Sequence, residues 1–542
     1  MFAGPEADEA ALAEPVALNP NISVDEAPGS QLRVLTAAAV RYIQASWSAN
    51  ASVFLGRDHV TTDATNPVER RYQERLNRYV TAMRTGMPDR VPIRPFVAEF
   101  VAKYAGFTCQ QVCHDYEKAC LAARRCAADF DWDAVVCNMV YVWTGLAQAL
   151  GLRYYGIPGI HVPANTGFQY REPSEEEAYM KPDEYDELIA DPTGFLYNVW
   201  LPRVSEDIRG PGQRASYRHN LALVKGSMAM LQYFMALGDQ NARLRSESGT
   251  VSAIAGILKA PFDIIADKLR GYIGLVMDMH TQPDKVLAAC EALAPHLAHV
   301  ALTTADPTKT VPVGYWMHRG CVPFINREQF HSHYWPTIKP IVEELWAHGH
   351  QTLFYAEGKW LPHLDSIMEL PPGSIVYHVD QDDVFEVNRK LRGRFCLSGG
   401  IPNFLLSFGK PEQVRDYCRR VLQEVARESP YIMDAGAIMQ DDTSIENVRV
   451  MTDTTLEYGV YSRGSGAPAA FANPGAAAAA VPSTRRIADF PRTRVPPGVC
   501  VPWEQKLKKL PELTGDVDML RQIWNNIEGL GNTFIWQVLL SF

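Results

Sequence analysis

Short apolar runs alternate with amphipathic segments four times between residues 351 and 459. Each run is followed by a polar turn, and each amphipathic segment has the spacing of apolar positions that is typical of a helix. The four runs cover residues 351–357, 374–379, 394–398 and 431–434. Short strands that alternate with helices predict consecutive βα units on a parallel sheet.

The same alternation extends towards the N-terminus. Residues 89–93 lead into a first strand, residues 131–138 form a second, and residues 311–316 form a further one. Helices are predicted over residues 108–129 and 217–244. We therefore predict an α/β fold, a (β/α)8 TIM barrel over residues 89–463, in which the active site lies on the loops that follow the strands.

The segments outside the barrel differ from it in composition. Residues 1–30 are rich in Ala, Pro and acids, which predicts a flexible leader, and residues 31–88 form an N-terminal helical section. A polar, Pro-rich insertion at about 156–215 is a candidate lid, although surface decoration is as common. Residues 464–483 have the composition of a linker. Residues 484–542 form a tail whose helix at 517–540 is expected to dock on the barrel or on a neighbouring subunit.

Composition and charge exclude several classes of partner. The chain has 542 residues, of which 47% are hydrophobic, so it has a large core and room for additions to a barrel. A net charge of −10, without a Lys/Arg-rich block, argues against a nucleic-acid partner. We see no apolar run of about 18 residues and no secretory signal, so no membrane association is expected. Ten cysteines without regular spacing predict reduced thiols and a cytoplasmic location.

Three of the four strand ends carry a carboxylate. Glu357 follows the run 352–356, and a carboxylate half-buried at a barrel mouth is suited to general acid–base catalysis. The alternative for Glu357 is a structural ion pair. We expect Asp380 to face the pocket and Asp383 to cap the helix that follows it. The residues predicted to bind substrate are Tyr355, Gly400, Asn403, Gln169 and Asp434.

Two further residues are candidates for catalysis. His318 follows the run 311–316 and titrates near neutrality, although an inert hydrogen-bonded histidine is equally plausible. Asp133 lies in the second predicted strand and could hold a developing positive charge, whereas the alternative is a helix cap or an exposed turn. No spacing of Cys or His residues predicts a metal site.

Five segments, in this order, resemble the superfamily of uroporphyrinogen decarboxylase and the corrinoid-linked methyltransferases. They are Asp89-Arg90-Val91-Pro92 at the start of the barrel, residues 130–136, residues 324–339, residues 399–414, and residues 444–448. The resemblance covers roughly residues 75–460, and the chain is most similar to a divergent, uroporphyrinogen decarboxylase-like branch. It implies the same TIM barrel, and a homodimer as in many members. It also implies that Asp133 falls where the decarboxylase has its central aspartate.

Departures from the superfamily narrow the expected chemistry. The arginine segment "MRQAGRY", which binds the carboxylates of uroporphyrinogen, has no counterpart with that spacing. The zinc ligands of the thiol-methylating branch would fall within residues 355–357 and 434–436, and neither the His nor the Cys ligands are present there. No corrinoid-binding "DxHxxG" motif occurs, so any cobalamin would be carried by a partner corrinoid protein and none would be bound directly.

Three functions remain open at this point. The first is a corrinoid-linked methyltransferase that acts on a small methylated substrate. The second is a decarboxylase of a carboxylated substrate such as uroporphyrinogen, in which Asp133 stabilises a protonated intermediate. The third is a non-catalytic binding barrel. The carboxylate-rich mouth favours the two enzymes over the third function.

Overall fold

The computed structural model describes residues 66–137, 144–461 and 485–541. The predicted leader 1–30 and linker 464–483 lie outside the described residues, as does the first part of the helical section 31–88. Most of the predicted barrel, the insertion and most of the tail fall within them.

Eight parallel strands form the barrel, and the third of them is built from two short pieces. In chain order, the barrel strands are β1 (Phe96–Val97), β2 (Ala134–Cys137), β5 (Val251–Ser252) with β6 (Ile257–Lys259), β7 (Val313–Met317), β8 (Thr352–Ala356), β9 (Ile375–Val379), β10 (Cys396–Gly399) and β11 (Tyr431–Ile432). The remaining two strands, β3 (Tyr155–Gly156) and β4 (Gln169–Tyr170), pair antiparallel as a hairpin in the insertion.

Pairing runs continuously around the ring. β2 lies between β1 and β5, and a single sheet runs in the order β11-β10-β9-β8-β7-β6. Ile93 and Met433 form a parallel bridge that joins the last strand to the segment leading into the first. The Met433 N–H donates to the Pro92 carbonyl at 2.9 Å, and the Arg94 N–H donates to the Met433 carbonyl at 3.0 Å. The predicted TIM barrel is therefore confirmed.

Helices follow the barrel strands, as βα units require. The longer helices are Pro67–Met83, Glu99–Ala105, Cys109–His114, Tyr116–Asp129, Thr144–Leu150, Tyr185–Ala190, Tyr217–Arg243, Tyr272–Thr281, Pro283–Thr304, Trp335–Ala347, Val384–Leu391, Asn403–Phe408, Pro411–Glu424, Ile445–Tyr458 and Val517–Leu540. Asp383 caps Val384–Leu391 by accepting the N–H groups of Phe385 and Glu386, as predicted. The helix predicted over 108–129 breaks at Asp115, which caps the second half by accepting the Lys118 N–H.

The helix Pro67–Met83 closes the N-terminal end of the barrel. Its residues Tyr79, Ala82 and Met83 are buried in the same apolar cluster as the inward side chains of the strands. The Tyr79 hydroxyl donates to the carbonyl of Ala253 at 3.0 Å. The barrel is thus filled and sealed at this end, which leaves the opposite end as the place for a ligand.

An ion-pair cluster centred on Asp133 holds the helix Pro67–Met83 against the N-terminal end of the barrel. Asp133, at the start of β2, is fully buried and accepts from the guanidinium groups of Arg78 at 2.6 Å and Arg90 at 2.8 Å. It also accepts the Ile93 N–H at 2.8 Å. Asp133 therefore joins the closing helix, the first strand and the second strand at the end that faces away from the loops following the strands.

The C-terminal helix Val517–Leu540 docks on the described barrel and on the insertion. Trp536 stacks on His296 of the helix Pro283–Thr304, with ring centroids 5.0 Å apart, and donates from Nε1 to Thr193 Oγ1 at 3.2 Å. The residues Ile535, Trp536, Val538 and Leu539 are fully buried. The half of the helix nearer the C-terminus is therefore part of the core.

Within the part of the chain that the structure describes, two helices are long and apolar enough to cross a membrane by length and composition alone. They are the segments Tyr217–Ser248 and Pro283–Thr304. Pro283–Thr304 is mostly buried and packs on the barrel. A core helix can have the same length and hydropathy as a membrane-spanning helix. Tyr217–Ser248 buries one face on Thr144–Leu150 and exposes Tyr217, Val224 and Met228 on the other. The absence of membrane association stays a prediction.

The buried Asp133 cluster gives a testable expectation for stability. Asp133→Asn removes the negative charge between two largely buried guanidinium groups, so we expect a loss of about 3 kcal/mol in the free energy of unfolding. Glu457→Gln is the control, because its pair with Arg415 is half-exposed and is expected to change stability by less than about 1 kcal/mol. Denaturant unfolding measures both; equal losses would contradict a structural role for Asp133.

Candidate active site

The floor of the barrel mouth is a stack of three ring side chains from neighbouring strands. Trp316, Tyr355 and His378 come from β7, β8 and β9, and all three are buried. The ring centroids of Trp316 and Tyr355 lie 5.5 Å apart, and those of Tyr355 and His378 lie 4.4 Å apart at an angle of 11°. Because side chains alternate along a strand, the residue two positions beyond each ring also points inward.

Those next inward residues are His318, Glu357 and Asp380, all three of which were singled out from the sequence. Nδ1 of His318 lies 3.5 Å from Oε2 of Glu357. Oδ2 of Asp380 accepts the Gly358 N–H at 2.7 Å, which joins the loops after β8 and β9. The structure therefore brings the three predicted residues together in one layer above the ring stack.

Glu357 is the group in this layer whose protonation changes near neutrality. Its side chain is 42% exposed to the mouth, yet protein surrounds it on the other sides. This desolvation, reinforced by the charge of Asp380, raises the pKa of Glu357 to about 7. Burial raises the pKa of Asp380 to about 6, with a smaller contribution from Asp382. Two neighbouring carboxyl groups thus share protons in the physiological range.

His318 is neutral at physiological pH. Burial, reinforced by the positive charge of Lys259, lowers its pKa to about 3. Its backbone N–H donates to Oδ2 of Asp263 at 2.8 Å, which fixes the start of the loop after β7. The imidazole can therefore hydrogen-bond to Glu357 or to a ligand, but it does not supply a proton as an imidazolium at neutral pH.

Ion pairs from the third and fourth barrel strands form one wall of the mouth. Lys259, the last residue of β6, lies 3.1 Å from Oδ2 of Asp267, and Nε of Arg319 donates to Oδ1 of the same carboxylate at 2.8 Å. These cations hold the pKa of Asp267 below its usual range even though burial acts in the opposite direction. The cations of this wall are therefore largely neutralised by protein carboxylates.

Lys268 lies beside this wall in a cage of aromatic rings. Its ammonium lies 4.1 Å from the ring centroid of Tyr154 and 4.8 Å from that of Tyr155. Nζ donates to the Tyr155 hydroxyl at 2.9 Å and to the main-chain carbonyl of Ser541 at 2.8 Å. Burial lowers the pKa of Lys268 well below its usual value. The insertion and the C-terminal tail thus both reach the edge of the mouth.

The insertion also contacts the ion-pair wall directly. The Tyr170 hydroxyl, on the hairpin strand β4, donates to the main-chain carbonyl of Asp267. Oε2 of Glu172 lies 3.3 Å from Nη2 of Arg319. These contacts place part of the predicted lid beside the mouth.

Three residues predicted to bind substrate have structural contacts instead. Gly400 has φ of +81°, and a Cβ there would lie 2.7 Å from the side chain of Val384, so the glycine serves the turn. The side-chain amide of Asn403 is hydrogen-bonded to the neighbouring loop: Nδ2 donates to the carbonyls of Ala437 and Ile438, and Oδ1 accepts the Ala437 N–H. Tyr355 lies in the ring stack below the mouth. Gln169 is exposed on the hairpin.

Asp434 lies inside the barrel rather than at its rim. It is fully buried, and its Oδ1 accepts the N–H groups of Phe96 at 3.1 Å and Ala435 at 2.7 Å. Its Oδ2 lies 3.4 Å from Nη1 of Arg94 and 3.9 Å from Nδ1 of His378. Burial outweighs the nearby Arg94 and raises the pKa of Asp434 to about 7. The residue belongs to a buried polar network with Arg94 and His378 inside the barrel.

The position of Asp133 corrects its predicted catalytic role. The residue lies at the start of β2, at the end sealed by the helix Pro67–Met83, and its carboxylate is occupied by Arg78 and Arg90. The sequence left open whether Asp133 began or ended the strand, and the register of β2 places it at the beginning.

The chain was compared with known proteins. The family model described as uroporphyrinogen decarboxylase matches residues 223–458. The matched segment is similar to this family and makes up less than half of the chain. No curated protein matches the chain. A methyltransferase from Methanosarcina mazei is similar in structure, with a TM-score of 0.47 and 13% identity, over 71% of this chain and 98% of that one.

The uroporphyrinogen decarboxylase region contains the third to the eighth barrel strands, and with them the whole layer of His318, Glu357 and Asp380. Sequence reasoning missed the residues that the third strand brings to this region, namely Lys259, Asp263, Asp267 and Lys268. The available signal was the apolar run 251–258, which ends at Lys259 and precedes two acids spaced four apart.

The described residues contain no group of three His, Cys, Asp or Glu side chains that could hold a metal ion.

The buried Asp434 predicts a pH dependence of stability. Its folded pKa lies above the value of about 4 expected in the unfolded chain, so the folded state binds more protons between pH 4 and 7. The contribution of this group is therefore greatest below about pH 4 and declines by up to about 1.4 kcal/mol per pH unit as the pH rises towards 7.

Unfolding of the wild type and of Asp434→Asn at several pH values tests this expectation. The stability of the variant relative to the wild type should increase from pH 5 to pH 7.5, because asparagine does not ionise. Asp442→Asn, which alters an exposed carboxylate, is the control and should show a constant difference. A constant difference for Asp434→Asn as well would show that Asp434 ionises in the folded protein as readily as in the unfolded chain.

Proposed function

We propose that this chain is an enzyme that donates a proton at the barrel mouth, and that it acts as a corrinoid-linked methyltransferase on a small methylated substrate. The observation that carries this proposal is Glu357, which stands above the ring stack beside His318 and Asp380 with a pKa of about 7. A general acid works best when its pKa is close to the operating pH.

Removal of a methyl group from a nitrogen or oxygen atom leaves that atom with excess negative charge. Protonation of the leaving atom stabilises the transition state, and Glu357 is placed to supply this proton. Burial, reinforced by the charge of Asp380, raises the pKa of Glu357 so that part of this group holds its proton at neutral pH. The neutral imidazole of His318, 3.5 Å from the carboxyl group, can orient it or accept from the substrate.

The methyl acceptor would come from outside this chain. The superfamily resemblance implies a corrinoid, and the corrinoid-binding "DxHxxG" motif does not occur in this sequence. A corrinoid bound to a partner protein would supply the methyl acceptor at the solvent-facing mouth. The protein's own contribution is to bind the substrate above the ring stack and to protonate its leaving group.

Decarboxylation is the second candidate, because a carbanion left by loss of CO2 also needs a proton from a group such as Glu357. The charges at the mouth favour methyl transfer over decarboxylation of uroporphyrinogen. Lys259 and Arg319 are already paired with Asp267, and Lys268 is enclosed by tyrosines and the tail, so few cations remain for a substrate with many carboxylates. A non-catalytic barrel, a homodimer and a cytoplasmic location remain predictions.

Glu357→Gln is the decisive variant for this proposal. We expect kcat to fall by about 10²–10⁴-fold, because glutamine cannot donate a proton to the leaving group. The wild-type rate should decline as the pH rises above about 7, where Glu357 loses its proton. Glu386→Gln is a matched control, since Glu386 is an exposed carboxylate on the helix after β9.

The assay uses a panel of methylated amines and aryl methyl ethers with free cob(I)alamin, and follows methylcobalamin by its absorbance. Uroporphyrinogen is tested in parallel for release of CO2. Methyl transfer that depends on Glu357 supports the proposal, whereas Glu357-dependent release of CO2 establishes the decarboxylase. If substrates of both kinds bind and neither reacts, the non-catalytic barrel is favoured.

A further inference from the structure

A cavity of about 590 Å³ lies in the insertion, outside the barrel mouth. The proposed function does not use it. Its charged lining consists of four cations, Arg153, Arg171, Lys181 and Arg203, and two acids, Glu172 and Glu177. Pockets for small molecules in proteins are typically about 300–1,000 Å³. The cavity is therefore large enough for a small ligand, and its lining carries an excess of positive charge.

Two of the six charged groups are already paired elsewhere. Arg203 donates to both carboxylate oxygens of Glu184, at 2.7 and 2.5 Å. Glu172 accepts the Tyr272 N–H at 2.8 Å through Oε1 and pairs with Arg319 through Oε2. The charges of Arg203 and Glu172 are thus largely neutralised by groups other than a ligand.

The three remaining cations lack a close carboxylate partner. Arg171 forms no ion pair within residues 66–137, 144–461 and 485–541, and the ammonium of Lys181 donates to a main-chain carbonyl, that of Glu176, at 2.6 Å. Arg153 approaches Glu206 only to 3.9 Å, and both side chains are more than half exposed. Of the two acids in the lining, only Glu177 is left to offset the positive charges of Arg153, Arg171 and Lys181.

The backbone holds two of these cations near each other. β3 and β4 pair in a register that places Tyr155 opposite Tyr170, and the Arg171 N–H donates to the Tyr154 carbonyl at 2.9 Å. Arg171 therefore lies opposite Tyr154, one residue along the chain from Arg153. Both arginines line the cavity, and each of them lowers the pKa of Tyr179, although burial has the larger effect and raises it. Like charges that line one cavity repel each other unless an anion lies between them.

We propose that this cavity is a binding site for a small polyanion, a phosphate ester or a polycarboxylate, held by Arg153, Arg171 and Lys181. Guanidinium groups bind the oxygens of either class in pairs, and an ammonium adds a point charge. The site does not depend on the proposed function at the barrel mouth. Glu172, in the wall of the cavity, connects it to the mouth through Arg319 and Asp267.

The test is isothermal titration calorimetry on the full chain with two probes, inorganic pyrophosphate and citrate, against sodium chloride at equal ionic strength. Saturable binding of at least one probe is expected, and the tighter of the two identifies the ligand class. Arg171→Gln and Lys181→Gln should each weaken this binding by tenfold or more, because each removes one of three anion-binding groups.

Arg214→Gln is the matched control, since Arg214 is an exposed arginine of the insertion that does not line the cavity. It should bind the probes as the wild type does, and thermal unfolding verifies that all variants are folded. Absence of saturable binding to the wild type overturns the proposal. So does binding that Arg214→Gln weakens as much as Arg171→Gln does, because that result indicates a non-specific ionic effect.

Discussion

The stack of Trp316, Tyr355 and His378 across three neighbouring strands is the contact on which the rest of the candidate active site depends. Parallel pairing brings the three rings to one level, and the alternation of side chains then places the next inward residue of each strand above them. The rings fill the barrel and form a rigid, mostly apolar floor. Polar groups that stand on such a floor are held in position and are poorly solvated on one side.

Partial desolvation explains most of the chemistry that we assign to the mouth. It raises the pKa values of Glu357 and Asp380 and lowers that of His318, so one layer contains proton donors beside a neutral imidazole. Water alone would leave both carboxyl groups ionised at neutral pH. The same effect acts on the buried Asp434, where burial outweighs a neighbouring arginine. Burial thus brings the pKa values of Glu357 and Asp434 to about 7.

The parts added to the barrel complete the mouth. The hairpin of the insertion contributes Tyr155, and the tail contributes the carbonyl of Ser541, and both bind the buried ammonium of Lys268. A lysine buried at this edge needs hydrogen-bond partners, because a buried polar group without them is unfavourable. Segments distant in sequence therefore meet at one group, which links the docking of the tail to the geometry of the mouth.

The sequence by itself determined the barrel, the strands after residue 311 and the position of Glu357, because short strands and helices differ in the period of their apolar residues. It also determined the cap at Asp383, since capping depends on neighbours in the chain. Only the tertiary structure decided that Asp133 lies at the sealed end and that Asn403 binds a neighbouring loop, because these outcomes depend on strand register and on contacts between loops. The third strand brought Lys259 and Asp267 to the mouth, although it is split into two pieces too short to give a clear pattern. Local periodicity thus determines which segments become strands, whereas the closure of the ring determines which side chains share a site.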